Sequence, residues 1–150
     1  MTAEIVVRRA DPGDAPLMTA IHGSCFARAW DEAAMAQLLA NPEVLCLIGA
    51  NCNAPGAVGG LLIARWAADE AEILTVCVTP ACRQAGLGRA LLQAAIEALR
   101  ASGAKQLFLE VDVGNVAAQR LYRTFGATLV GKRQGYYENG ADAAIFSLAL

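Results

Sequence analysis

The chain has 150 residues, 56% of them hydrophobic, and 12 Lys and Arg against 14 Asp and Glu give it a formal net charge of -2. This apolar content is enough to fill one core, so we expect a single domain over residues 1–150 and exclude a disordered or fibrous protein. The balanced charge argues against direct binding of nucleic acid. No run of about 18 apolar residues occurs, so we expect no membrane span or membrane partner.

Five cysteines and one histidine limit the metal and disulfide chemistry that the chain can support. The cysteines are odd in number, form no CxxC pair and lie mostly in apolar runs, which favours reduced thiols in a cytoplasmic protein. His22 alone is poor material for a zinc site or a Ser-His-Asp triad. We therefore expect no metal, and we interpret His22 as an ordinary surface or partly buried imidazole.

In chain order, the first half of the sequence predicts a strand, two helices and three antiparallel strands, over about residues 4–9, 12–27, 31–40, 44–49, 57–66 and 72–78. The second half then alternates helix and strand, over about residues 86–102, 105–113, 115–125, 127–133 and 143–150. This order indicates an α/β (α+β) fold with a mixed, mostly antiparallel sheet of about seven strands flanked by about four helices.

A glycine pair opens the helix that follows the fourth strand, in Arg83-Gln84-Ala85-Gly86-Leu87-Gly88. Two glycines at a helix start let the backbone approach a ligand closely, and the free N–H groups there attract phosphate. The GxxxxGKS/T loop of triphosphate-binding proteins and the dinucleotide GxGxxG loop are both missing from this stretch. From the residues alone, the pair indicates either an anion cradle or a helix start without a ligand.

The spacing RxxGxG between a strand and a leucine-rich helix resembles the acetyl-CoA motif of the GCN5-related N-acetyltransferase (GNAT) superfamily, and the resemblance covers essentially the whole chain. It implies the GNAT fold and an N-acetyltransferase that takes its acetyl group from acetyl-CoA and releases coenzyme A. In that family, loop amides bind the pyrophosphate and the preceding strand runs beside the pantetheine. The cofactor-binding residues implied in this way are Val76, Cys77, Val78, Arg83, Gln84, Ala85, Gly86, Leu87, Gly88 and Arg89.

Two side chains are candidates for the proton transfers that amine acetylation needs. In the strand over residues 106–113, Glu110 shares one face with Phe108 and Asp112. A carboxylate in so apolar a strand either takes a proton from an ammonium group, directly or through water, or pairs with a neighbouring cation. In the next helix Tyr122 points inward, where its hydroxyl either protonates the leaving thiolate or only supports packing.

The run from Glu110 through Asn115 to Leu121-Tyr122 resembles the ExxxxN...LY pattern of the RimI-like ribosomal-protein-alanine N-acetyltransferases. This resemblance implies that Glu110 is the proton acceptor, Tyr122 the proton donor and a cofactor neighbour, and Asn115 a cofactor contact. It implies transfer of the acetyl group to a protein N-terminal alanine by direct attack in a ternary complex.

The acceptor side is less closely defined by the sequence. Resemblance to the same family extends to Trp30 and to Tyr136-Tyr137, which we interpret as acceptor-binding residues; the two tyrosines equally suit packing at a rim. Ala85 stands where a basic residue is common in the family. Two alternatives stay open: acetylation of a small amine such as a polyamine, amino acid or aminoglycoside, and a non-catalytic acetyl-CoA-binding module. We expect a monomer or a homodimer.

Overall fold

The computed structural model describes residues 5–51, 58–83, 86–136 and 140–150. Within these ranges seven strands, β1 to β7, cover Ile5–Arg9, Val44–Asn51, Val58–Ala67, Glu70–Val78, Gln106–Asp112, Thr128–Arg133 and Ala143–Ala149. Four α-helices, α1 to α4, cover Ala15–Gly23, Glu32–Ala40, Leu87–Ala101 and Val116–Thr124. The strands form one sheet in the order β1-β2-β3-β4-β5-β7-β6, with β4 and β5 parallel. The predicted mixed α/β fold is confirmed.

The first helix is shorter than the pattern predicts. A helix over residues 12–27 was expected, but Pro12–Asp14 forms a 3-10 turn and α1 ends at Gly23. The hydroxyl of Ser24 donates to the carbonyl of Ile21 at 2.6 Å, and the N–H of Ser24 bonds the last turn of the helix. Side-chain bonding of this kind competes with helix continuation, so the segment before α2 is irregular.

By its contacts the chain divides into two compact units, Met1–Arg65 with Leu74–Ala98, and Trp66–Ile73 with Leu99–Leu150. The core of the first unit consists of fully buried apolar side chains from α1, α2 and β2 to β4, among them Met18, Ile21, Met35, Ile48, Leu61 and Ile63. In the second unit, the buried faces of β5 and β7 supply most of the core, including Leu107, Leu109, Val111, Phe146 and Leu148.

Two facing glycines let α3 pack directly on the sheet of the first unit. Gly49 and Gly60 are partners in the β2–β3 ladder. A Cβ on Gly49 would lie 2.6 Å from Leu87 Cδ1, and one on Gly60 would lie 2.8 Å from Leu91 Cδ1. The first turns of α3 therefore rest on backbone rather than on side chains, which brings the helix N-terminus close to the sheet.

Candidate active site

The end of β4 is fixed by side chains that bond to its last carbonyl group. Val76 and Val78 are half-buried and Cys77 is buried. The carbonyl oxygen of Val78 accepts the Nε–H of Arg83 at 3.0 Å and the thiol of Cys25 at 3.3 Å. Burial raises the pKa of the Cys77 thiol, which favours its neutral form. Arg83 thus anchors the loop after β4 to the end of its own strand.

The glycine pair lies at the start of α3, as predicted. Gly86 has φ of 86°, a backbone conformation that favours glycine. Its carbonyl accepts the N–H of Ala90 at 3.1 Å. The N–H groups of Leu87, Gly88 and Arg89 come before that of Ala90 and have no hydrogen-bond acceptor within the helix. This end of α3 is therefore suited to bind an anion. Gln84 and Ala85, also predicted to bind cofactor, lie outside the described residues.

The loop between β4 and α3 is seated on β3 at a single glycine. The N–H of Thr79 donates to the carbonyl of Gly59 at 2.6 Å. A Cβ at Gly59 would lie 2.2 Å from Cys82 Sγ and 2.8 Å from Thr79 Oγ1. Cys82 is itself buried. The loop therefore reaches its place only because residue 59 has no side chain.

In the second unit, Glu110 contacts a cation and a phenol. Its Oε1 lies 3.3 Å from Arg133 Nη2, and the Glu110 and Arg133 side chains are 25% and 57% exposed. The hydroxyl of Tyr136 hydrogen-bonds to Glu110. Loss of hydration raises the pKa of Tyr136, and the hydrogen bond and negative charge of Glu110 raise it further, against the opposing charge of Arg133. The structure thus shows the cation pairing that the sequence left open for Glu110; its role as a base stays a prediction.

Tyr122 and Glu110 lie on opposite faces of the sheet. Tyr122 is 4% exposed, and its ring meets the edge of the Phe146 ring with centroids 6.2 Å apart. Phe146 is the ladder partner of Leu109, whereas Glu110 pairs with Ile145. Because successive residues of a strand point to opposite faces, the phenol approaches from one side of β5 and the carboxylate stands on the other. The inward direction predicted for Tyr122 is confirmed.

Asn115 lies directly before α4 and caps it. Its side-chain oxygen accepts the N–H of Ala118 at 3.1 Å. This is the expected use of an asparagine at a helix N-terminus. Its contact with the cofactor stays a prediction.

Trp30, predicted to bind the acceptor, is half-buried and packs against the first unit's core. The backbone N–H of Trp30 donates to Nδ1 of His22 at 3.1 Å, and the two rings stack with centroids 4.7 Å apart. The ring of Phe26 lies 4.5 Å from the imidazole on a tilted plane. His22 is 3% exposed, so it is buried rather than at the surface. The third predicted acceptor residue, Tyr137, lies outside the described residues.

The buried imidazole predicts acid-sensitive folding. Burial lowers the pKa of His22 below its ordinary value of 6.5, so the unfolded chain binds a proton at a pH where the folded chain does not. The contribution of neutral His22 to the free energy of unfolding is therefore complete above pH 6.5. It declines as the pH falls below that, by at most about 1.4 kcal/mol per pH unit. In urea unfolding between pH 7.5 and 5.5, we expect His22→Gln, which cannot titrate, to flatten this decline.

His22 is the single histidine of the chain, which makes the control simple. Asp14 bonds to Arg8, which lowers its pKa to about 2, so this carboxyl titrates far below the measured window. An equal decline in wild type and His22→Gln would show that His22 is not the group responsible.

Comparison with a protein-family model decides the classification. Residues 15–127 match the acetyltransferase (GNAT) family. The chain is a GNAT acetyltransferase. It is accordingly an acetyl-CoA-dependent N-acetyltransferase, as the RxxGxG resemblance implied.

Individual relatives of this GNAT acetyltransferase share one named activity. A Bacillus subtilis (strain 168) protein, provisionally named a ribosomal protein bS18-alanine N-acetyltransferase, is 32% identical over 147 residues, 97% of this chain and 95% of that protein. The ribosomal protein bS18-alanine N-acetyltransferase of Escherichia coli (strain K12) is 35% identical over 98 residues, 63% of this chain and 66% of that protein. A crystal structure of the ribosomal-protein-S18-alanine N-acetyltransferase from Escherichia coli has a TM-score of 0.85 and 29% identity, with 97% of this chain and 94% of that chain covered.

Three contacts were not found from the sequence. These are the identity of Arg133 as the cation beside Glu110, the hydrogen bond between Trp30 and His22, and the packing of the loop on Gly59. Each joins residues at least eight positions apart in the chain. Only the packing on Gly59 had a local signal in the sequence, the pair Gly59-Gly60, because glycine inside a strand often marks a close backbone approach.

Two observations on the described ranges concern metal ligands and membrane spans. There, no group of three or more His, Cys, Asp and Glu side chains is placed to hold a metal ion. No helix in the same part of the chain is both long and apolar enough to cross a membrane.

Proposed function

We propose that this GNAT acetyltransferase acetylates the N-terminal alanine of a protein, with a ribosomal protein as the natural acceptor. The observation that carries the proposal is similarity along nearly the whole chain to proteins named for that activity. The ExxxxN...LY run lies inside the similar region. We further propose that the protein acts in the cytoplasm as a single domain, either as a monomer or as a homodimer.

In this proposal the first unit holds the donor. Acetyl-CoA supplies the acetyl group as a thioester, which an amine attacks directly. The start of α3 and its preceding loop, residues 84–89, offer the amides for the pyrophosphate, and Val76, Cys77 and Val78 line the pantetheine arm. The donor set fits an anionic ligand, because α3 has 15 residues and the first N–H groups of such a helix attract negative charge. Asn115 in the second unit adds a further contact.

The second unit supplies the proton transfers. Glu110 receives one proton of the acceptor ammonium, directly or through water, so that the neutral amine attacks the thioester carbon. As the carbon–sulfur bond breaks, Tyr122 donates its hydroxyl proton to the departing thiolate, and the second proton that the nitrogen loses restores the phenol. Separate side chains thus serve the attacking and the leaving group. Tyr136, hydrogen-bonded to Glu110, lies on the acceptor side of this arrangement, with Trp30 and Tyr137 as further acceptor residues.

The deciding experiment is acetyl transfer to a synthetic peptide that begins with alanine. We expect the purified protein and acetyl-CoA to add the mass of one acetyl group to its N-terminus. The matched control is the same peptide with a blocked N-terminus and an intact lysine, which we expect to stay unmodified. If a polyamine or aminoglycoside is acetylated and the peptide is not, the natural acceptor is a small amine instead of a protein N-terminus. If acetyl-CoA binds but no amine is acetylated, the protein is a non-catalytic acetyl-CoA-binding module.

A further inference from the structure

Glu110, Arg133 and Tyr136 form a closed cluster in the second unit, in which each side chain contacts the other two. Arg133 pairs with Glu110 at 3.3 Å. The guanidinium Cζ of Arg133 also lies 5.4 Å from the centroid of the Tyr136 ring. The Tyr136 hydroxyl bonds to Glu110. Two donors from one hairpin therefore converge on one carboxylate.

A β-bulge in β6 determines which cation reaches Glu110. Thr128 and Leu129 pair regularly with Ser147 and Phe146, but the register then shifts and Gly131 pairs with Ile145. Continued without the shift, the ladder would turn Lys132 toward the face that carries Glu110. With the bulge, Arg133 occupies that face instead, and Lys132 lies on the other.

The geometry also selects Glu110 over its neighbour on the same face. Arg133, Ala143 and Asp112 stand in one row across the three strands, so Asp112 is the partner expected from register. Arg133 nevertheless pairs with Glu110, while Asp112 Oδ1 accepts the N–H of Gly114 at 2.8 Å. The small Ala143 between them leaves the arginine side chain room to cross β7 diagonally.

The turn that carries Tyr136 is held by a separate carboxylate. The N–H of Gly135 donates to Asp142 Oδ1 at 2.9 Å, and Lys132 Nζ lies 3.2 Å from Asp142 Oδ2. The side chain of Lys132 and the backbone of Gly135, both just before Tyr136, are thus tied to Asp142, which directly precedes β7. The Tyr136 hydroxyl therefore reaches Glu110 from a turn that Asp142 holds in place.

We propose that Arg133 is a positioning residue for Glu110: together with the Tyr136 hydroxyl it holds the carboxylate in one orientation. The inference rests on the proposed role of Glu110 as proton acceptor. A charge-assisted pair and a hydrogen bond to the same carboxylate together restrict the directions in which it can turn.

Steady-state kinetics with the alanine peptide test the proposal. We expect Arg133→Gln to lower kcat by about tenfold with little change in the KM for acetyl-CoA, because a misdirected carboxylate affects the chemical step and not donor binding. Arg133→Lys, which keeps the charge, should recover part of that loss. Tyr136→Phe keeps the ring under the guanidinium and loses one donor, so a smaller loss of kcat is expected there.

The matched control is Arg120→Gln, which removes one positive charge from an exposed position on α4 and is expected to leave kcat unchanged. An unchanged kcat in Arg133→Gln overturns the inference. If Glu110→Gln retains turnover, the role of Glu110 in the proposed function fails instead, so the two failures are distinguishable.

Discussion

Glu110→Gln is expected to lower turnover of the alanine peptide by about 10²- to 10⁴-fold, the usual contribution of a positioned acid or base. Glutamine has nearly the same shape but cannot receive a proton. Folding should change by no more than about 1 kcal/mol, because the ion pair with Arg133 is partly exposed. Steady-state kinetics with calorimetric binding of acetyl-CoA separates the two effects, and the affinity for acetyl-CoA should be retained.

A neighbouring carboxyl group provides the control for this experiment. Asp112 lies on the same face of β5, and its Oδ1 accepts the N–H of Gly114. Asp112→Asn keeps that acceptor oxygen and removes the same charge, so turnover should stay within about twofold of wild type. Equal losses in both variants would indicate a general effect of charge on this face rather than proton transfer by Glu110.

Local patterns predicted much of the fold because the signals are contained within single elements. The apolar residues of α3 repeat with helical spacing, and Leu91 and Leu99 among them are fully buried. The alternation of β5 likewise holds, with Leu109 buried and Glu110 half-buried. Asp31 and Asn115 each cap a helix, and such a cap depends on residues only three positions away.

The site was harder to predict, because its contacts depend on register and on distant segments. Arg133 lies on the same face as Glu110 because of the bulge in β6, and no local sequence pattern predicts that bulge. The imidazole of His22 is buried by stacking with Trp30, eight residues further along and past the end of α1. Periodicity describes one element at a time, so it carries no information on such pairs.

The residues assigned to the cofactor illustrate the same division. The glycine pair and the helix behind it follow from local spacing, and Gly86 takes the positive φ that favours glycine. The seat under the loop depends on Gly59 of β3, which the chain places more than twenty residues earlier. A phosphate-binding helix start needs both, since its amides serve a ligand only when the loop is held in place.

Gly59→Ala is expected to weaken acetyl-CoA binding by more than tenfold and to lower the free energy of unfolding by about 1–3 kcal/mol, because it overpacks a buried seat. The added Cβ would lie 2.2 Å from Cys82 Sγ and 2.6 Å from Cys82 Cβ, so a rotamer change of Cys82 cannot relieve the overlap. The loop must then lift away from β3 and carry the start of α3 with it. Calorimetric titration with acetyl-CoA and urea unfolding measure the two effects.

Gly13→Ala adds the same methyl group at a position with nothing within 4 Å, so it should leave both quantities unchanged. Cys82→Ala in the Gly59→Ala background removes the closest atom, Sγ, and should recover part of the lost affinity; the two substitutions are then non-additive. Recovery cannot be complete, since Cβ of residue 82 and Thr79 Oγ1 still crowd the added methyl group. If Gly59→Ala binds acetyl-CoA like wild type, the close approach of loop to strand has no part in holding the donor.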